Sequence, residues 1–89
     1  MIRRRVVVHG FVQGVYFRDS TQRLAQRDDL AGWVANRADG TVEAVFEGER
    51  EEVERLVDWT RTGPRGAQVE HVDVFTEEPE GLSGFVIRY

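Results

Sequence analysis

The chain has 89 residues and a mass of 10.2 kDa, enough for one hydrophobic core and too little for two, so residues 1–89 are expected to form a single domain. A hydrophobic fraction of 40% with 31% charged residues and a mean hydropathy of -0.46 disfavours both disorder and membrane insertion; no apolar run approaches the roughly 18 residues of a spanning helix, and Val6–Val8 is too short for a signal-peptide core, which makes the expected location cytoplasmic. The formal net charge of -4 speaks against broad contact with nucleic acid or an anionic membrane, and the absence of cysteine removes disulfides, thiolate metal sites and a Cys nucleophile.

The first predicted strand, Arg3 to His9, carries the β-branched run Val6-Val7-Val8, suited to a central strand buried on both faces, and ends at Gly10. Phe11 to Tyr16 reads as a loop. From Phe17 the positions Phe17, Thr21, Leu24 and Ala25 recur at helical spacing while Arg23, Gln26 and Arg27 face solvent. Asp28-Asp29 stops that helix. Leu30 to Arg37 then alternates Gly32, Val34 and Asn36 against Trp33, Ala35 and Arg37, and Thr41 to Glu47 alternates Val42, Ala44 and Phe46 against Glu43, Val45 and Glu47. Between them Asp39-Gly40 is a hairpin signal, because both residues tolerate positive φ. A two-residue loop pairs Ala38 with Thr41 and sets Asn36 opposite Glu43; a longer loop shifts that register.

The second helix opens on Glu49, Glu51 and Glu52, matched to the positive end of its dipole, and carries Val53, Leu56, Val57 and Thr60 on one stripe until Gly63-Pro64 closes it. Two last strands fall near Gln68 to Phe75 and Phe85 to Tyr89. The order β-α-β-β-α-β-β predicts an α+β fold of the ferredoxin-like, split βαβ kind: an antiparallel sheet of four to five strands with both helices on one face.

The stretch Gly10-Phe11-Val12-Gln13-Gly14-Val15-Tyr16-Phe17-Arg18 joins a strand to a helix N-terminus. Consecutive amides in such a turn form a concave nest, the helix dipole adds positive potential, and an Arg in the first turn offers a two-pronged donor to a tetrahedral anion. On spacing alone the bland alternative stands beside this: glycines that permit a tight turn and a solvated Arg18. A Walker loop is excluded, since the Gly-Lys-Ser/Thr ending is missing.

Taken whole, Gly10-x-Val12-Gln13-Gly14-Val15-x-Phe17-Arg18 resembles the first signature of the acylphosphatase family. Gly32-Trp33-Val34-x-Asn36-x-x-Asp39-Gly40-x-Val42-Glu43 resembles the second, and Gly84-Phe85-x-Ile87-Arg88-Tyr89 is similar to the family's usual ending. The resemblance implies an enzyme that hydrolyses acyl phosphates to carboxylate and inorganic phosphate, without metal, cofactor or covalent intermediate. It implies that Arg18 binds the phosphate, that the amides of the Phe11 to Phe17 loop, led in by Gly10, cradle its oxygens, and that Asn36 positions the attacking water. The chain departs from the family pattern at Asp28-Asp29-Leu30, where Asp29 is expected at a positive φ that glycine accepts more easily, and at Gly63-Pro64-Arg65-Gly66.

Other constellations carry less. His9 and His71, with no Cys and no carboxylate recognised at close spacing, do not suggest a zinc site and read as ordinary strand residues. Ser20 and Ser83 lie in no Gly-x-Ser-x-Gly elbow. The acidic run Glu49 to Glu54 reads as a solvated first helical turn. Arg3-Arg4-Arg5 suits either a field that attracts phosphate or a charged strand edge. The aromatic segment Gly10-Phe11 to Tyr16-Phe17 lacks the basic residue and Phe-Val pair of an RNA-binding strand. The remaining alternative is a non-catalytic module that binds phosphate or an acyl phosphate in the same loop. A small charged domain is expected to be a monomer whose partner is a small molecule.

Overall fold

Seven elements follow in the predicted order: β1 (Ile2–Phe11), α1 (Phe17–Arg27), β2 (Ala31–Asn36), β3 (Val42–Gly48), α2 (Arg50–Thr60), β4 (Gln68–Glu77) and β5 (Phe85–Arg88). The computed structural model describes residues 1–89. The strands form one sheet in the order β4-β1-β3-β2-β5, and β1 lies inside the sheet between β4 and β3, as its valine run implied for a non-edge strand. Val6, Val8, Val34, Val42, Ala44 and Phe46 share the face that packs against Phe17 and Ala25 of α1 and Val53, Leu56 and Val57 of α2, so both helices cover the same side. The opposite face has no helix. There Arg5 lies over the Phe75 ring at 4.2 Å and Arg88 over Trp33 at 4.4 Å.

One expectation needs correction. The sheet is mixed, because β5 runs parallel to β2 while every other pair is antiparallel. The cause is the connector 78–84. It crosses the end of the sheet where β4 stops, so β5 starts from that end and runs opposite to β4, in the same direction as β1 and β2. Glu47 fixes the crossing: its carboxylate accepts from the amides of Glu80 (2.9 Å), Gly81 (3.1 Å) and Leu82 (3.1 Å) and from Arg3 Nη1 (2.6 Å).

The hairpin takes the longer of the two loops that the sequence left open, with the register shifted accordingly. Asn36 pairs with Val42, not Glu43, and Arg37 N donates to Thr41 O at 2.8 Å, leaving the three-residue loop Ala38-Asp39-Gly40. Gly40 N closes a turn on Arg37 O (3.1 Å) with Gly40 at φ 91°, and the Asp39 carboxylate accepts from both the amide (3.0 Å) and hydroxyl (2.6 Å) of Thr41. A type I turn followed by a left-handed glycine is the usual three-residue solution. These contacts hold the Asp39 carboxyl below the usual carboxylate range, the Thr41 hydroxyl first among the causes.

The end of α1 behaves as expected at its departure from the family pattern. Asp29 sits at φ 58°, with Leu30 N bonded to Ala25 O (2.9 Å) and Asp29 N to Gln26 O (3.2 Å). This is a Schellman closure with aspartate in the position that favours glycine.

Candidate active site

At the end of the sheet opposite the connector, Val12, Gly14, Tyr16, Phe17, Arg18, Asp19, Asn36, Ile87 and Tyr89 line a cavity of about 300 Å³. Its floor is built by the turn out of β1. The β1–β4 register shifts between His9 and Gly10, and Gly10 at φ 130° lies so close to β4 that a Cβ there would stand 2.1 Å from Gln68 O. Only glycine fits this bulge, which re-aims the chain away from β4. The loop is then pinned from both sides. Val12 is buried in the core and Val15 packs against it, while Gly14 (φ 75°) and Tyr16 (φ 63°, ψ 26°) supply the left-handed steps between them and α1.

Left-handed backbone is costly for tyrosine, roughly 1–2 kcal/mol, and Tyr16 is 80% exposed with no side-chain cap on the helix. The amides of Gln13 to Tyr16 donate to no backbone acceptor, and the first amides of α1 are free by the geometry of any helix N-terminus. Donors without acceptors, at the positive end of a dipole, make an anion cradle.

Arg18 is the second residue of α1. A cation there opposes the helix dipole, an arrangement costing roughly 0.3–1 kcal/mol where nothing negative offsets it. No carboxylate pairs with it, whereas Asp19 pairs with Arg23 at 3.2 Å. Its guanidinium instead rests 5.0 Å from the centre of the Tyr89 ring. An unpaired planar cation on an aromatic shelf, lining the same cavity as a loop with free amides, is suited to a tetrahedral oxyanion.

Asn36 reaches the cavity because of the register just described. Its pairing with Val42 sets it on the helix-bearing side of the sheet with Gly32 and Val34; a pairing with Glu43 would set it on the other side. Gln13 locks the two halves together, its Nε2 donating to Arg37 O (2.8 Å) and Thr41 O (3.0 Å) across the hairpin mouth.

Of the residues singled out from sequence, Val12, Gly14, Tyr16, Phe17, Arg18 and Asn36 line the cavity. Gly10, Phe11, Gln13 and Val15 do not: Gly10 forms the bulge, Phe11 ends β1 with its ring exposed, Gln13 clasps the hairpin and Val15 anchors the loop. Sequence reasoning missed Asp19, Ile87 and Tyr89 as lining residues. The closing segment signalled Ile87 and Tyr89, but only strand order shows that β5 ends at this cavity.

Two of the arginines at the start of β1, Arg3 and Arg5, are structural charges. Arg3 pairs with Glu47 (2.6 Å) and Glu77 (2.9 Å), and Arg5 with Glu77 (2.9 Å) and Glu43 (3.3 Å), with Arg3 at the far end of the sheet. The histidines are strand residues as expected, His9 in β1 and His71 in β4, and strand pairing stacks their rings beside Asp73, outside the cavity lining.

A family model described as acylphosphatase matches residues 4–87. The chain is 54% identical over 87 residues to the acylphosphatase of Natronomonas pharaonis, covering 98% of this chain and 95% of that one. To the acylphosphatase of Gloeobacter violaceus it is 55% identical over 86 residues, 97% and 92% of the two chains. The crystal structure of an acylphosphatase from Bacillus subtilis superimposes with a TM-score of 0.95 at 38% identity over the full length of both chains.

Proposed function

The chain belongs to the acylphosphatase family and is a hydrolase of acyl phosphates, and on that premise we propose that Arg18 and the loop amides hold the phosphate while Asn36 aims the attacking water. The observation that carries this reading is the convergence of an unpaired guanidinium, amides without acceptors and the Asn36 carboxamide on one cavity.

The leaving group sets how much the protein must do. A carboxylate has a conjugate acid near pKa ~4 and departs at neutral pH without a general acid. Charge in the loose transition state spreads over the equatorial phosphate oxygens, where the Arg18 fork and the fixed amide dipoles compensate it without reorganising. Water enters opposite the carboxylate oxygen with its oxygen held by Asn36. The P–O bond to the carboxylate breaks as the bond to water forms, and the water proton passes to a phosphate oxygen, since Asn36 cannot take it. The products are carboxylate and inorganic phosphate. Substrate and product are small molecules, and the net charge of -4 leaves attraction of the anion to this local cradle. No helix is long and apolar enough to cross a membrane, and we place the protein in the cytoplasm as a monomer.

Steady-state hydrolysis of benzoyl phosphate against p-nitrophenyl phosphate, each with and without EDTA, tests the reaction class: chelator-resistant turnover of the acyl phosphate alone is expected. Arg18→Ala should lower kcat/KM by about 10³–10⁵ and weaken inhibition by inorganic phosphate. Asn36→Ala should mainly lower kcat. Wild-type phosphate inhibition in Arg18→Ala would overturn that residue's assignment.

A further inference from the structure

The helix-free face of the sheet carries a second group of donors. His9 of β1 stands directly opposite His71 of β4, and Asp73 follows two positions along the same face of β4. The imidazoles stack with centroids 4.0 Å apart and planes 14° from parallel. His9 Nε2 lies 2.8 Å from Asp73 Oδ2, His71 Nε2 lies 3.7 Å from Asp73 Oδ1, and one donor atom from each residue falls within 4.8 Å of the others. A cation bound at about 2.0–2.2 Å holds neighbouring donors roughly 3–3.5 Å apart. Small side-chain rotations therefore bring all three donors into one coordination shell.

We propose that His9, His71 and Asp73 bind a divalent transition-metal ion of the zinc, nickel or copper type, with water completing the shell. Two imidazoles and one carboxylate suit these borderline cations; magnesium and calcium prefer all-oxygen shells. His71 and Asp73 are exposed and His9 is half-buried, which gives an ion access and leaves room for its waters. Neither Arg5 of β1, occupied by Glu77 and Glu43, nor any other cation is paired with Asp73 apart from these two rings. No residue of the trio lines the cavity. The ion's effect is a staple between β1 and β4 next to the bulge at Gly10, stabilising the strand pair from which the cradle loop departs.

The test uses full-length protein without a polyhistidine tag. Calorimetric titration with zinc chloride and nickel chloride should show one ion per chain and a raised melting temperature, with no binding of magnesium chloride. His71→Ala and Asp73→Asn should each weaken zinc binding by at least about tenfold while hydrolysing benzoyl phosphate at the wild-type rate, which reports that they fold. Imidazole resonances of both histidines should shift together during the zinc titration. Absence of zinc binding, equal binding by wild type and both variants, or shifts confined to one histidine would overturn the proposal.

Discussion

Replacing Glu47 by Gln isolates what holds β5 in place. The wild-type carboxylate is 2% exposed and accepts from Arg3 and from three consecutive connector amides. Glutamine keeps the shape and one oxygen acceptor but loses the charge and turns an amide toward donors. Arg3 retains Glu77 at 2.9 Å and Glu80 at 3.6 Å, so its own charge is not stranded. The loss should fall near the value of hydrogen bonds to charged groups, about 1.5–3 kcal/mol, and Glu47→Ala nearer the roughly 3–5 kcal/mol of a broken buried pair. In a domain of this size the Gln variant should melt roughly 6–24 °C lower.

Acid gives the discriminating assay. Burial pushes the Glu47 carboxyl up, but the Glu80 and Leu82 amides and Arg3 more than reverse this, and its pKa is lowered overall. Arg5 and then Arg3 lower that of Glu77. The unfolded chain thus binds these protons more tightly than the folded one. Their stabilisation is present above the ordinary glutamate pKa of about 4.3 and is lost as pH falls through the lower folded values. Urea midpoints measured from pH 7 to pH 2.5 should fall less steeply with acid in Glu47→Gln than in wild type. Equal midpoints at pH 7, or parallel acid limbs, would refute the role given to this carboxylate.

Gln13→Ala should lower kcat by about tenfold to a hundredfold through a misplaced hairpin and Asn36, with the cradle intact and inorganic phosphate inhibiting nearly as before; Gln13→Glu should not restore it, because a carboxylate cannot donate to the Arg37 and Thr41 carbonyls. Tyr89→Leu removes the aromatic shelf beneath Arg18, and KM for benzoyl phosphate should rise roughly twofold to fivefold, the equivalent of about 0.5–1 kcal/mol at an exposed cation–π contact. Asp29→Gly relaxes the left-handed closure of α1 and should raise stability by roughly 0.5–1 kcal/mol in urea unfolding, with turnover unchanged.

Local pattern carried most of the elements into view. Both helices were legible because Phe17, Thr21 and Ala25, and Val53, Leu56, Val57 and Thr60, are buried at the spacing that one helical face requires. The direction of β5 was not, since its four residues fit either edge pairing and the deciding contacts come from Glu47, more than thirty positions away. The His9–His71–Asp73 group was invisible for the same reason. Nothing near His9 in sequence announces that β4 will lie beside β1 in the one register that sets the two rings opposite each other.

Asn36 shows how a small ambiguity in sequence becomes a large one in chemistry. The alternation of β2 and β3 identifies the faces of each strand but not which face of one meets which face of the other, and Asp39-Gly40 is compatible with loops of two or three residues. A two-residue loop in the stated register sets Asn36 beside Glu43 on the helix-free face, remote from Arg18. The three-residue loop turns it to the cavity. What selects the longer loop is side-chain chemistry: Asp39 takes both donors of Thr41, and Gln13 reaches from the cradle to the Arg37 and Thr41 carbonyls that flank the mouth. Gln13, Asp39 and Asn36 therefore form one device, in which the loop we propose to hold the phosphate also stabilises the register that brings the Asn36 carboxamide to the cavity.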